Sequence, residues 1–167
     1  MTAKEPELPT WFVGLQNIIW GEGGDRGLFI GAIAFLQAHL EQLLRRSLVD
    51  APKEADRLLS SLPFAAQTRL AYLLGLIPQE IAADLDGLRS IRNDLAHSFA
   101  PAESEAYVSR LRALYVLNDP GFGGAALSVD AAEYLKAACY IIARYLERES
   151  GAVPRHSPKP PFVYTPP

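Results

Sequence analysis

The stretch LFIGAIAFLQAHLEQLLRRSL (Leu28–Leu48) decides the fold class. Leu28, Ala32, Ile33, Phe35, Leu36, Leu40, Leu43 and Leu44 recur at helical spacings and spread over more than one stripe of the wheel. A helix apolar over that much of its surface needs others around it, so an all-α bundle centred on this helix is expected. Gln37, His39, Glu41, Gln42, Arg45 and Arg46 make it too polar for a membrane span. Asp25 is placed to cap the helix, with Arg26 just behind it. His39 falls inside the apolar arc, where it is either a core histidine bonded to a backbone carbonyl or carboxylate, or a ligand-binding side chain.

Toward the N-terminus, residues 1–9 read as a mobile arm. Trp11, Phe12, Leu15, Ile18 and Ile19 suggest a short amphipathic helix ended by the Gly21–Gly24 cluster. Toward the C-terminus, Pro52 starts a short helix to about Ser60. Pro63 starts another, with Phe64, Leu70, Ala71, Leu73 and Leu74 expected inward and Gly75 as its stop. A long helix follows Pro78 and closes before Pro101, with Ile81, Leu85, Leu88, Ile91, Leu95 and Phe99 as its buried stripe. Ser104 opens a helix carrying Tyr107, Val108, Leu111, Leu114 and Tyr115 inward. Asn118–Gly124 is a loop by composition. Ser128 is placed to cap the last helix, which runs to about Glu149 on the stripe Leu135, Ala138, Cys139, Ile142 and Leu146. Residues 10–150 thus read as a single domain of six or seven helices, and 151–167 as a proline-rich tail with a Pro-x-x-Pro pattern at Pro158–Pro161.

The 167 residues suffice for one domain with a core that needs no staples. A formal charge of −3 argues against a broad nucleic-acid-binding face. The lone Cys139 cannot form an intrachain disulfide and is expected as a packed thiol. Met1–Pro9 has no apolar core of a signal peptide, so a cytoplasmic location off the membrane is expected. His39, His97 and His156 are scattered and neither Cys-x-x-Cys nor His-Glu-x-x-His occurs, so no metal and no cofactor are expected. The helix pair Pro52–Ser60 and Pro63–Gly75 offers Lys53, Arg57, Gln67 and Arg69 outward. That is too few for a base-reading helix-turn-helix, so no direct DNA reading is expected.

Chemistry concentrates in Arg92-Asn93-Asp94-Leu95-Ala96-His97. Arg89, Asn93 and His97 form an i, i+4 stripe with Asp86 beside it, whereas Arg92 falls on the shoulder of the apolar arc near Leu85 and Leu88. A guanidinium there must find a carboxylate or face a partner. One reading is structural: Arg92 tied to Asp25, Glu41 or another buried acid, with Asn93 and His97 bonding loop backbone. The other is metal-free RNA cleavage. His97 would move the proton of the 2′-hydroxyl or leaving oxygen, and Arg92 would hold the charge gathering on phosphate. Five steps along an ideal helix put the two about 140° apart, so two chains are needed to line one groove with both. A third reading is a small-molecule sensor with a pocket beside His39 and Arg92.

The segments DRGLFIGAIAFLQAHLEQLLRRSLVD (Asp25–Asp50) and LPFAAQTRLAYLLGLIPQEIAADLDGLRSIRNDLAHSF (Leu62–Phe99) together resemble the mannitol operon repressor family. The shared features are the Asp-Arg start, the leucine-rich helix, the LAY-LGLI segment and the IRND-AHS ending. The resemblance implies an all-helical fold and a role in bacterial transcriptional regulation. It also implies no recognisable DNA-binding motif, hence repression through a regulatory protein partner and a homodimer. Arg92, Asn93 and His97 also resemble the Arg-x4–6-His signature of the HEPN superfamily. Those helical domains are commonly dimeric, and many are metal-independent endoribonucleases of toxin and defence systems. Others have lost cleavage and serve as binding modules. On that resemblance Arg92, Asn93 and His97 would be catalytic and RNA the substrate. Separately, Asp25, Arg26, His39, Glu41, Arg89 and Asp94 are expected as a polar cluster that binds or supports.

Overall fold

A computed structural model describes Val13 and residues 24–48, 50–97, 105–118 and 130–153, with only the backbone course of 24–26. The N-terminal arm, most of the Trp11–Ile19 segment, the loop from 119 onward and the tail beyond Val153 lie outside the described residues. So do the expected cap Ser128, the helix start Ser104 and the stripe member Phe99.

Seven helices are present among the described residues: α1 (Gly24–Ser47), α2 (Pro52–Ser61), α3 (Phe64–Leu73), α4 (Gln79–His97), α5 (Glu105–Arg112), α6 (Tyr115–Asn118) and α7 (Ala131–Ala152). They form an all-α bundle with α1 at its centre. α1 packs against α2, α3, α4 and most extensively α7. Leu28, Phe29, Ala32, Ile33, Leu36, Leu40, Leu43 and Leu44 are buried along it, and Phe35 is half-buried. The facing stripe of α7 is Leu135, Ala138, Cys139, Ile142 and Leu146, all at 0% exposure. By length and composition α1 would pass for a membrane span despite its polar residues. Burial against four other helices accounts for that apolarity without a bilayer.

Several boundaries differ from the sequence expectation, each for a local reason. α1 begins at Gly24, so Asp25 and Arg26 lie in its first turn instead of before it, and Asp25 is not its cap. α7 runs to Ala152. Its start is capped by the Asp130 carboxylate, which accepts from the Ala132 N–H at 2.9 Å. α3 does stop where expected. Gly75 adopts φ +70°, Leu76 N–H reaches the Ala71 carbonyl, and Gly75 N–H reaches that of Tyr72. That pair of bonds is the Schellman stop, which a glycine adopts without strain.

The inward face of α3 is not the expected one. Phe64, Gln67, Thr68 and Ala71 are buried, whereas Leu73 is 79% and Leu74 49% exposed. Gln67 is tolerated inside because its amide nitrogen donates to Glu41 Oε1 and to the Leu59 and Leu62 carbonyls. Thr68 Oγ1 donates to the Phe64 carbonyl. The polar residue on this helix therefore ties three segments together, and an outward Gln67 for base reading is excluded.

The segment after α4 also departs from a single helix. Leu114 is buried as expected, but the helix breaks between Arg112 and Tyr115, and Tyr115 turns half outward. Asp84 of α4 is the cause. Its two carboxylate oxygens accept the Tyr115 and Val116 N–H groups at 2.8 and 2.9 Å, and so start α6 afresh.

Candidate functional site

The candidate site is the outward side of the C-terminal half of α4. Pro78 precedes the helix and its carbonyl accepts the Ala82 N–H, which closes the first turn. Ile81, Leu85, Leu88, Ile91 and Leu95 then anchor it in the core. Measured from Ile81 at 100° per residue, the buried set drifts by about 40° between the first and last turns. Ile81, Asp84 and Leu85 face the core at the start, and Leu88, Ile91 and Leu95 at the end. The core-facing side thus winds around the helix and leaves Arg92 behind.

Arg92 is exposed, so of the two outcomes open to a guanidinium on the shoulder of the apolar arc it is the outward-facing one that is seen. Its Nη1 donates to Asn93 Oδ1 at 3.1 Å, and the partners of Glu41 are Gln67 and Gln37, while the expected Asp25 side chain lies outside the described residues. Asn93 is half-buried and His97 exposed. Arg89 Nε reaches Asp86 Oδ1 at 3.2 Å, as their stripe implies. Asp94 receives Arg110 Nη1 of α5 at 2.6 Å, while Nη2 of the same guanidinium donates to Ser90 Oγ at 2.9 Å. This clamp docks α5 on α4 and makes Asp94 a structural residue. The structure therefore leaves Arg89, Arg92, Asn93 and His97 away from the core, spread around the outward arc of α4. Arg92 and His97 point in directions about 140° apart, too divergent for one chain to hold a single phosphate between them.

Of the other members of the expected polar cluster, the side chains of Asp25 and Arg26 lie outside the described residues, and His39 and Glu41 sit on α1. His39 is half-buried in α1, its Nδ1 donates to the Phe35 carbonyl at 3.0 Å, and its ring lies 4.3 Å from that of Phe35. That is the core histidine of the structural reading. Glu41 accepts from Gln67 at 2.9 Å and from Gln37 at 3.4 Å. A cleft of about 390 Å³ opens between the start of α4, α6 and α7, walled by Pro78, Ile81, Tyr115, Ile141, Tyr145 and Arg148. Neither His39 nor Arg92 lines it. Among the described residues no three His, Cys, Asp or Glu side chains gather as a metal site requires.

Sequence reasoning missed Asp84. It is 4% exposed, and burial pushes its carboxyl above the ordinary carboxylate range, opposed by the hydrogen bonds from Val116 and Tyr115. Its partners are backbone groups 31 and 32 residues away, which leave no mark on the sequence. Cys139 is a packed thiol, pushed up to about 12 by burial and so unreactive as a nucleophile. No protein-family model, no curated protein and no solved structure matches this chain, which leaves the geometry of its own residues as the ground for a functional reading.

Proposed function

We propose that this chain is a non-enzymatic regulatory domain, similar to the mannitol operon repressor family, that works in the bacterial cytoplasm by contact with a protein partner. The single observation that carries this reading is the outward array of Arg89, Arg92, Asn93 and His97 on α4. Its four polar side chains are anchored from behind by the core but diverge too far to make a reaction centre within one chain. Exposed charged and amide groups on a rigid helix suit recognition of another surface. Leu73, Leu74 and Tyr72 at the end of α3 add exposed apolar area of the kind that protein contacts use. The test is a pull-down with the full chain as bait, repeated with Arg92→Ala. A specific partner lost on substitution supports the reading. Tight operator binding with a steep salt dependence overturns it.

A second reading, a metal-independent endoribonuclease of HEPN type, is favoured by the exposure of Arg92 and His97 together. In this reading a second copy of α4 in a homodimer completes the pair, since the two residues of one chain leave the helix in different directions. Cleavage of RNA in the presence of EDTA, abolished by His97→Ala with the fold intact, is the expected outcome. RNA left whole by the purified wild-type protein disposes of it.

A further inference from the structure

Exposed apolar surface gathers at the corner where α3 gives way to α4. Seven large hydrophobics are exposed among the described residues. Tyr72, Leu73 and Leu74 are consecutive at the end of α3, and a fourth, Tyr115, walls the cleft that begins at Pro78. Leu73, at 79%, is the most exposed of all. The corner is rigid. Leu74 N–H reaches the Leu70 carbonyl at 3.0 Å, and the Gly75 stop closes the turn behind it. It is also uncharged, because Leu70–Gln79 (LAYLLGLIPQ) holds no Asp, Glu, Lys, Arg or His. Arg69, one turn back on the same face as Leu73, is exposed and belongs to the edge of a contact made there.

The cleft between α4, α6 and α7 has the matching character. Ile81, Val116 and Ile141 line its apolar interior, with Tyr115 and Tyr145 among its walls. Charges of both signs, Glu80 and Glu147 with Arg144 and Arg148, ring it and the depression that continues along α7. Neither an anion nor a cation is selected by such a rim, whereas an uncharged apolar side chain fits it. The corner supplies one. Leu74 and Pro78 are four residues apart, at most about 14 Å along the chain, so corner and cleft adjoin. A corner entering a cleft joins unlike surfaces, and one such contact alone runs on into an open chain of molecules. With both surfaces side by side, a two-fold axis makes the insertion reciprocal and closes the assembly at two. We propose that Tyr72–Leu74 of one chain inserts into the Tyr115–Tyr145 cleft of a second copy, and the reverse, in a two-fold homodimer. Three side chains and one cleft are little beside the roughly 800 Å² per partner of a standard interface, so a dissociation constant of about 10 μM is expected. The dimer owes nothing to Arg92 or His97, and the regulatory reading of α4 stands whether or not it forms.

The test is sedimentation equilibrium of the full chain over a roughly hundredfold concentration range around that value, with amide chemical shifts followed through the same dilution. A monomer–dimer equilibrium is expected. On concentrating the protein, the amides of Tyr72–Gly75 and those of Tyr115, Ile141 and Tyr145 should shift together. Leu73→Lys alters a side chain that stands in solvent and suits the end of a helix, so its urea midpoint should match wild type. It should weaken the dimer about a hundredfold, because a charge then enters the cleft twice. The cleft amides of this variant should keep their dilute positions at every concentration. Tyr115→Ala should weaken the dimer at least about tenfold from the other side. A chain that stays monomeric throughout overturns the proposal. So does a dimer that survives Leu73→Lys, or one whose cleft amides never move, which would lay corner on corner or put the contact elsewhere. Mass that grows past two chains overturns it as well, by leaving the insertion unreciprocated.

Discussion

One helix carries two polar stations that behave oppositely. In the first half of α4, Asp84 is sealed in the core and spends both oxygens on the backbone of α6. In the second half, Arg92 and His97 stand in solvent, and the bond seen for Arg92 goes to its own neighbour Asn93. The difference teaches that polarity on a helix says little until burial is known. A sealed carboxylate fixes architecture, because an unpaired buried acceptor or donor is costly. An exposed guanidinium is free of that duty.

The contrast can be broken first at its hydrophobic footing. Leu88, at 0% exposure between the two stations, should cost about 3 kcal/mol when replaced by alanine, through lost burial and the cavity left behind. A urea titration measures it, and a loss under 1 kcal/mol, roughly what a surface site gives, would deny α4 its anchoring role. Asp84→Ala comes next. It strands the Tyr115 and Val116 N–H groups and should destabilise by about 2 kcal/mol while freeing α6. Amide exchange at those two residues reports the release directly. Gln67→Ala removes the tie between Glu41, Leu59 and Leu62 and should cost about 1 kcal/mol. Smallest of all, Arg92→Ala and His97→Ala should leave the urea midpoint where it was, and a large shift in either would return that residue to the structural class.

The pH dependence of Asp84 sharpens the same comparison. Burial holds its carboxyl above the ordinary 3.8, so the folded protein binds that proton more tightly than the unfolded chain does. Stability linked to the proton is fully present below the unfolded value and is lost as pH rises through the folded one. Wild type should therefore gain stability relative to Asp84→Asn as the pH falls from neutrality to below 3.8. Paired urea titrations across that window, showing a constant difference or one of opposite sign, would remove burial as the dominant influence on this group.

Long periodic stripes were legible in the sequence because burial over many turns repeats itself in residue type. The cores of α1, α4 and α7 follow the predicted positions from Leu28 to Leu44, Ile81 to Leu95 and Leu135 to Leu146. α3 was misread because Leu73, though apolar, lies about 180° around the helix from the buried stripe of Phe64, Gln67, Thr68 and Ala71, and Leu74 is the C-cap next to the stop made by Gly75. Gln67 and Asp84 were missed for the converse reason. Each is polar and buried, and its partners, Glu41 and two carbonyls for the Gln67 amide nitrogen and two backbone N–H groups for Asp84, are brought near only by the fold. Whether Arg92 turns inward or outward was not legible, because a wheel puts it on the edge of the buried face and the buried face of α4 winds along the helix.

The pairing of α1 with α7 sets an order of events at the ribosome. The longest greasy helix is made early, and the helix that covers most of it is made about a hundred residues later. Until α7 emerges, the apolar face of α1 lacks the helix that packs on it most extensively, and a message interrupted before Ala131 leaves it so. Premature termination should therefore yield aggregates instead of a smaller working protein.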